Sequence, residues 1–200
     1  MKIGRKFRPV IINVVNHDNF LGKINELLLG SNTVLDVGCG MGTTLKELCC
    51  PFKIGVDAHR PYLENAESGE QFVKLNYEAE RLSELFLPKT LDSVTLIDVI
   101  EHLDKEVGID VLRQLEEIAA KKVIVFTPRG FFRQKDFDHY GLGGEAYQRH
   151  RSGWEIEDFQ KLGYNIVIFS KFHDQKNKAF LEAYGENAEP MDALLAWKDC

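Results

Sequence analysis

Long apolar runs, paired cysteines and excess positive charge are all scarce in this sequence. The most apolar early stretch, Val10 to Val15, is short and interrupted by Asn13, whereas a membrane-spanning helix needs roughly 20 apolar residues. We therefore expect no membrane insertion and no signal peptide. A formal net charge of −6 argues against general nucleic-acid binding, which favours a basic surface.

Cysteine is also sparse, with four residues at positions 39, 49, 50 and 200. These cysteines have neither C-x-x-C spacing nor the density of a secreted disulfide scaffold. No neighbouring His or Cys completes a tetrahedral metal set around them. The sequence therefore predicts reduced thiols, a cytoplasmic protein and no metal site.

Repeats, low-complexity tracts and linkers rich in Pro, Gly or Ser are absent too, so no domain boundary is visible. A chain of 200 residues with 44% hydrophobic content can form one domain with one core. We expect a single domain over residues 1–200. It divides into a helical segment at 1–32, a ligand-binding core at 33–127, an excursion at 128–154, and a C-terminal helix with strands at 155–200.

Short β-rich runs alternate with helix-compatible stretches along the chain. Strands are predicted at 33–37, 52–57, 71–75, 91–99, 122–127, 164–172 and 192–198, and helices at 20–29, 43–50, 61–67, 80–87, 104–120 and 154–162. Repeated β-α units predict an α/β fold with one doubly wound, Rossmann-like and mostly parallel sheet. The last strand must run antiparallel if it pairs with the strand before it.

Three residues mark helix ends within this pattern. Asp104 is available as the N-cap of the helix that follows it. Ser152 has capping-box spacing to Glu155, which predicts that Ser152 caps the next helix. Gly163 stands where a C-terminal glycine belongs.

The most informative stretch runs from Val34 to Gly42, where glycines alternate at positions 38, 40 and 42. Missing side chains let a ligand approach the backbone, although a tight β-α turn without a ligand is the alternative. A dinucleotide fingerprint would need glycine at position 43, where this chain has Thr43, and Asp36 would repel a pyrophosphate. Asp36 would not repel an amino-acid ligand that carries a sulfonium cation.

A second acidic residue, Asp57, closes the following strand nineteen residues beyond Gly38. Acids at this position accept hydrogen bonds from ribose hydroxyls in several classes of nucleotide-binding protein. The alternative interpretation is an exposed turn carboxylate.

Three segments of residues 33–127 resemble the class I S-adenosylmethionine-dependent methyltransferases, especially the small free-standing domains of the type 11 kind. Val34 to Gly42 is similar to their first motif, and Ile54 to Asp57 is similar to their acidic second-strand end. Leu96 to Leu103 is similar to the fourth-strand motif that faces the methyl donor and acceptor. The resemblance implies a seven-stranded sheet with an antiparallel last strand.

The same resemblance implies S-adenosylmethionine as cofactor and S-adenosylhomocysteine as product. The donor-binding residues that it implies are Asp36, Gly38, Cys39, Gly40, Gly42, Asp57, Asn76, Tyr77 and Asp98. Many relatives have aspartate where Asn76 stands, so the adenine contact here would use the asparagine carbonyl.

Acceptor-side residues are expected at the end of the fourth strand and in the long excursion. His102 follows Glu101 at the strand end, where a parallel sheet places its ligand crevice. The alternative is that Glu101 lies at a helix N-terminus and His102 occupies a half-buried position, without a functional role. The excursion is long enough to cover a site, and the predicted substrate-binding residues in it are Arg129, His139, Tyr140, Arg151 and Trp154. The alternative interpretation of the excursion is a solvated loop whose aromatic residues cover the core.

The stretch from His150 to Trp154 is similar to an H-x-S-x-W signature seen near the acceptor pocket of some of these enzymes. His102 and His150 are therefore the two catalytic candidates, because a histidine can take a proton from a hydroxyl near neutral pH.

The predicted function is methyl transfer by in-line displacement to an unidentified small-molecule acceptor. The arginines of the excursion favour an anionic one. The rivals are an NAD-dependent oxidoreductase on a related fold and a non-catalytic regulatory protein that binds S-adenosylmethionine. The oxidoreductase has less support, since the chain lacks a Tyr-x-x-x-Lys pair and a second substrate domain.

Overall fold

A computed structural model describes residues 12–15, 19–66, 72–134 and 137–200. Several predictions extend beyond these ranges: residues 1–11 and 16–18 of the N-terminal segment, position 67 of one predicted helix, position 71 of one predicted strand, and residues 135–136 of the excursion. The strands are β1 Ile12–Val15, β2 Thr33–Val37, β3 Phe52–Asp57, β4 Phe72–Asn76, β5 Leu91–Ile97, β6 Ala119–Pro128, β7 Asn165–His173 and β8 Met191–Asp199.

The α-helices are α1 Phe20–Leu27, α2 Thr43–Glu47, α3 Arg60–Asn65, α4 Lys105–Ile118, α5 Glu145–Gln148, α6 Ile156–Lys161 and α7 Lys178–Tyr184. Two short 3-10 helices cover Ala79–Glu84 and Ile100–His102. The helix predicted at 80–87 is thus a 3-10 helix, and α5 and α7 have no counterpart in the sequence prediction.

All strands belong to one sheet of order β1-β7-β8-β6-β5-β2-β3-β4. Only β8 runs antiparallel to its neighbours, β6 and β7, while the other pairs are parallel. The mostly parallel α/β fold with an antiparallel last strand is therefore confirmed.

The sheet has eight strands, one more than predicted, because β1 lies in the segment expected to be helical. β1 pairs with the edge of β7, with Ile12 opposite Ile166. Its β-branched residues favour a strand, and the pairing satisfies backbone groups that the edge of β7 would leave open. The predicted helix at 20–29 is present as α1.

Helices cover both faces of the sheet. On one face, α4 buries Val111, Leu115 and Ile118 at helical spacing against β5 and β6. On the other face, Ile24 and Leu28, in and just after α1, pack in a second apolar cluster. Each fully buried aliphatic side chain stabilises the fold by roughly 1.5–3 kcal/mol.

Helix ends agree with the sequence prediction at two positions and differ at one. Asp104 is the N-cap residue of α4, and Gly163 follows α6 with a φ of 82°. The prediction that Ser152 caps α6 is wrong, because Glu155 is the N-cap and shares a capping box with Asp158. Ser152 instead accepts a hydrogen bond from the indole Nε1 of Trp154 at 3.0 Å.

Candidate active site

The carboxyl ends of β2, β3 and β5 lie side by side, because β2 pairs with both of the other strands. The loop after β2 is fastened to β3 by the backbone N–H groups of Gly38 and Cys39, which donate to the Val56 carbonyl at 2.7 and 2.9 Å. Asp57 extends this connection: its carboxylate accepts from Gly40 N and His59 N, each at 2.8 Å. The first motif and Asp57 therefore form one rigid unit.

The three glycines of the loop have different reasons to be glycine. All have positive φ values, of 71°, 55° and 80° at Gly38, Gly40 and Gly42, which few other residues adopt. A Cβ at Gly38 would lie 2.5 Å from Val99 Cγ2, and one at Gly42 would lie 2.5 Å from Phe72 Cζ. At Gly40 the nearest atom found, the Tyr140 hydroxyl, would be 3.6 Å away. Of the three, only Gly40 has room for a Cβ without a steric clash.

Two adjoining cavities lie over these strand ends. The first has a volume of about 380 Å³ and lies between the glycine loop and the excursion. The second, of about 190 Å³, lies between the ends of β3 and β5 and residues 146–151. Both are lined by Gly38, Asp57, Tyr62, Asp98, His102 and Gln148. The two cavities therefore meet at the ends of β3 and β5.

Most of the predicted donor-binding residues line these cavities. Asp36, Gly38, Cys39, Gly40, Asp57 and Asp98 line the first, and Tyr77 lines the second. Gly42 lines neither, since it packs on Phe72 at the start of α2. Asn76 is also outside both, and its Nδ2 donates to the carbonyls of Asp57 and Ala58, each at 2.9 Å. Its side chain thus fastens the turn after β3.

Carboxyl groups dominate the electrostatics of the first cavity. Asp36 is buried, with 2% exposure, and accepts a hydrogen bond from Thr95 Oγ1 at 2.7 Å. Burial raises the pKa of Asp36 to about 7, against the opposing effect of the Thr95 bond. Burial also raises the pKa of Asp57, although the backbone N–H groups of His59 and Gly40 lower it.

Two more carboxyls follow β5. Asp98 has a φ of 53°, an uncommon conformation for a residue with a side chain, and its side chain is accessible from both cavities. Its pKa is raised by desolvation first and by the negative charge of Glu101 second. Burial raises the pKa of Glu101, whose carboxyl accepts from Thr127 Oγ1 at 2.8 Å. Asp36, Asp57, Asp98 and Glu101 line the first cavity with no Lys or Arg among the described lining residues. The cavity therefore suits a cationic ligand.

The two catalytic candidates lie together although they are far apart in the sequence. The ring centroids of His102 and His150 are 4.6 Å apart. His102 Nδ1 lies 3.3 Å from the Arg149 carbonyl, and His150 Nδ1 lies 2.8 Å from the Phe132 carbonyl. A carbonyl oxygen only accepts, so each Nδ1 carries the hydrogen and each Nε2 carries the lone pair. Burial lowers both pKa values, that of His150 to about 4.

Residues of the excursion divide into those at the cavities and those elsewhere. His139 and Tyr140 line the first cavity, and Arg151 lines the second. Arg129 lines neither, because its guanidinium pairs with Glu155 and Asp192 at 3.2 and 3.1 Å.

Trp154 is fully buried in the core. The Lys105 ammonium lies 3.9 Å from its ring centroid. Arg129 and Trp154 thus stabilise the base of the excursion.

Asp138, which is not among the predicted site residues, holds the excursion over the first cavity. Its buried carboxylate accepts from the Tyr62 hydroxyl at 2.7 Å, from Tyr140 N at 2.9 Å and from Gly144 N at 3.2 Å. An aspartate just before a glycine-rich stretch is a common sign of such a turn, so this residue had a local signal.

His173 was also missed. It lines the first cavity from the end of β7. Asn177 Oδ1 accepts from Phe180 N at 3.2 Å, so the Asn177 Nδ2 donates to His173 Nδ1 at 3.4 Å. His173 Nε2 then carries a buried hydrogen with no partner among the residues that the structure describes. No local sequence pattern predicts that this histidine lines the cavity.

Comparison with known proteins identifies the domain. The methyltransferase domain family matches residues 35–124, which include Asp36, Asp57, Asp98 and His102. This chain contains a class I S-adenosylmethionine-dependent methyltransferase domain. S-Adenosylmethionine is the cofactor of this methyltransferase and S-adenosylhomocysteine its product. The family match favours this enzyme over the NAD-dependent oxidoreductase and the non-catalytic protein.

Solved structures share the methyltransferase fold. One is an S-adenosylmethionine-dependent methyltransferase from Archaeoglobus fulgidus, with 20% identity and a TM-score of 0.59 over 90% of this chain and 92% of that one. Another is the methyltransferase domain of bacterial CtHen1, with 22% identity and a TM-score of 0.56 over 90% and 97%. A third is the plantazolicin methyltransferase BamL in complex with a triazolic desmethylPZN analog and S-adenosylhomocysteine, with 14% identity and a TM-score of 0.58 over 90% and 83%.

No curated protein matches the chain in sequence. In the part of the chain that the structure describes, no helix has the length and apolar character needed to cross a membrane.

Proposed function

We propose that this methyltransferase transfers the methyl group to a small-molecule acceptor that occupies the first cavity beside His102 and His150. The observation that carries the proposal is the meeting of two cavities at Asp57, Asp98 and His102. One cavity is rich in carboxyls and includes Gly40, and the other lies next to Tyr77.

The donor would lie across this junction. Its ribose hydroxyls would bind Asp57, and its adenine would pack in the second cavity against Tyr77, Val99 and Leu103. Its cationic methionine part would lie beside Asp36 and Gly40 in the first cavity. Buried carboxyls favour a cation there because their own ionisation is otherwise costly.

The acceptor would occupy the rest of the first cavity, against Phe132, His139, Tyr140 and His173. The expectation of an anionic acceptor has little support here, because Arg129 is paired with two carboxylates and Arg151 lines the donor side. An uncharged, ring-sized molecule suits a cavity of this volume.

Methyl transfer needs the acceptor atom, the methyl carbon and the sulfur in line. If the acceptor is a hydroxyl, the lone pairs on Nε2 of His102 and His150 could take its proton. An acceptor that is already deprotonated, or an amine, would need less help.

The cytoplasmic location expected from the cysteines stays a prediction.

Thermal unfolding with added ligands tests the proposal. S-Adenosylmethionine or S-adenosylhomocysteine at about 100 times its dissociation constant should stabilise the protein by about 2.7 kcal/mol, which raises Tm by roughly 5–10 °C. Mass spectrometry of the natively purified protein should detect a retained small molecule beside the donor. A Tm shift with NAD and none with the adenosyl compounds would overturn the assignment.

A further inference from the structure

Three side chains with metal-ligating atoms lie together in the wall of the first cavity, and one of them, His102, also lines the second. Glu101, His102 and His150 each contribute one such atom, and these atoms all lie within 4.8 Å of one another. A metal ion with bonds of about 2.0–2.2 Å would draw them to about 3–3.5 Å from one another. Side-chain movements of about an ångström would achieve this.

Both histidines are already oriented as metal ligands are. Each Nδ1 faces a backbone carbonyl, from Arg149 or from Phe132, so each Nε2 carries the lone pair. Metal-bound histidines commonly donate their second ring nitrogen to a carbonyl or carboxylate in this way, which sets both tautomer and orientation.

The third group is oriented as well. Thr127 Oγ1 donates to Glu101 Oε2 at 2.8 Å in the buried interior. The backbone N–H groups of Arg151 and Ser152 both donate to the Glu101 carbonyl, at 2.8 and 3.1 Å. These two bonds dock the segment that carries His150 onto the 3-10 helix that carries Glu101 and His102, so the cluster is held from both sides.

Charge also favours a cation at this place. The first cavity has four carboxyls and no Lys or Arg among its described lining residues. The donor carries a sulfonium, an ammonium and a carboxylate, so its net charge of one positive unit would offset the carboxyls around Asp36 and Asp57 only in part. Glu101 lies in the same cavity beside His102 and His150.

We propose that Glu101, His102 and His150 bind one divalent first-row transition-metal ion, which holds a hydroxyl oxygen of the methyl acceptor. Two imidazoles and one carboxylate suit Mn²⁺, Co²⁺ or Zn²⁺ better than Mg²⁺, which prefers oxygen ligands. Three protein ligands leave coordination positions open for the acceptor. The role toward the acceptor rests on the proposed function; the metal site itself does not.

The metal would replace a general base. Binding to a cation lowers the pKa of an O–H group, as it does for water, so the acceptor hydroxyl would release its proton to a water molecule. The resulting alkoxide oxygen would form a bond with the methyl carbon. The bonding pair of the broken C–S bond returns to sulfur, and neutral S-adenosylhomocysteine is the product. The histidines keep their lone pairs on the metal throughout.

Metal titration of the untagged full chain, stripped with a chelator and dialysed, tests the site. Mn²⁺ binding would be followed by electron paramagnetic resonance and Co²⁺ binding by visible absorption, which reports imidazole ligation. We expect one ion per chain, with affinity lowered at least tenfold by His150→Gln or Glu101→Gln. The matched control is His139→Gln, which changes a histidine of the same cavity outside the cluster and should alter affinity less than twofold.

Thr127→Val provides a second test, because it removes only the hydrogen bond to Glu101 and should weaken metal binding by about tenfold. S-Adenosylhomocysteine binding, measured by calorimetry on the same samples, reports whether each variant is folded. Absence of saturable Mn²⁺ and Co²⁺ binding in the parent, or binding that survives both ligand substitutions, would overturn the metal site. Failure of the parent to bind S-adenosylhomocysteine would instead overturn the proposed function.

Discussion

Replacement of Asp36 by asparagine should make the ligand-free protein more stable at alkaline pH and lower its affinity for S-adenosylmethionine. The carboxyl is 2% exposed and has Thr95 Oγ1 as its hydrogen-bond donor. Asparagine has the same shape, and its Oδ1 can accept the same hydrogen bond. The substitution therefore removes the charge with little change in packing.

The size of the effect follows from the pKa. Burial raises the pKa of Asp36 from 3.8 to about 7, so the folded state binds this proton more tightly than the unfolded state does. The stabilising contribution is complete below pH 4 and is lost as the pH rises through 7. About three pKa units at 1.36 kcal/mol each set an upper limit of about 4 kcal/mol on the loss at pH 8.

Urea unfolding at pH 5 and pH 8 measures this effect. Asp36→Asn should be more stable than the parent at pH 8, by up to about 4 kcal/mol, and the difference should shrink toward pH 5. The control is Asp110→Asn, which changes an exposed carboxylate of α4 paired with Arg113 and should show no comparable pH dependence. A variant that loses equal stability at both pH values would refute the claim that ionisation of Asp36 opposes folding.

Donor binding gives the second half of the same prediction. A cationic donor should stabilise the Asp36 carboxylate, so binding of S-adenosylmethionine near pH 6.5 should release a proton. Calorimetry in two buffers with different ionisation enthalpies would detect that release in the parent and not in Asp36→Asn. Equal donor affinity and equal proton release in both proteins would remove Asp36 from the donor site.

Three further substitutions test other parts of the site. Asp57→Ala should weaken donor binding about tenfold or more, because hydrogen bonds to a charged acceptor contribute roughly 1.5–3 kcal/mol; calorimetry that gives the parent Kd for a folded variant would contradict this. Gly108→Ala places a Cβ 2.8 Å from Trp154 Cζ2 and should lower the free energy of unfolding by about 1–3 kcal/mol, so a parental urea midpoint would be the contrary result. Asp138→Ala should speed proteolytic cleavage in residues 137–148 and should have only a small effect on the urea midpoint of the core. Cleavage at the parental rate would show that Asp138 does not hold the excursion.

Much of the cavity lining proposed to hold the donor could be predicted from sequence because its signals are local. β-α alternation places strand ends at one edge, and Asp36, Asp57 and Asp98 each stand at such an end. The glycines alternate within a single loop. These features depend on periods of a few residues, which a single sequence displays directly.

The remainder depends on contacts between distant segments. Trp154 and Arg129 were expected at the acceptor, but Trp154 fills the space that Gly108 leaves open and Arg129 pairs with a carboxylate of β8. Asn76 was expected at the adenine, but its amide donates to the Asp57 carbonyl at the end of β3. A polar or aromatic side chain in a long loop gives no sign of which partner it will find.

Strand β8 has a consequence for how the enzyme assembles. It is the last strand in the chain order, yet it lies between β6 and β7 in the sheet and pairs with both. Until it inserts, β6 presents an open edge of apolar residues, and β7 with β1 has no partner that joins it to the rest of the sheet. Contacts of such long sequence separation form slowly and leave open edges prone to aggregation. Because His173 is carried at the end of β7, the proposed acceptor wall would be completed only after β8 has closed the sheet, later than the proposed donor site at the ends of β2, β3 and β5.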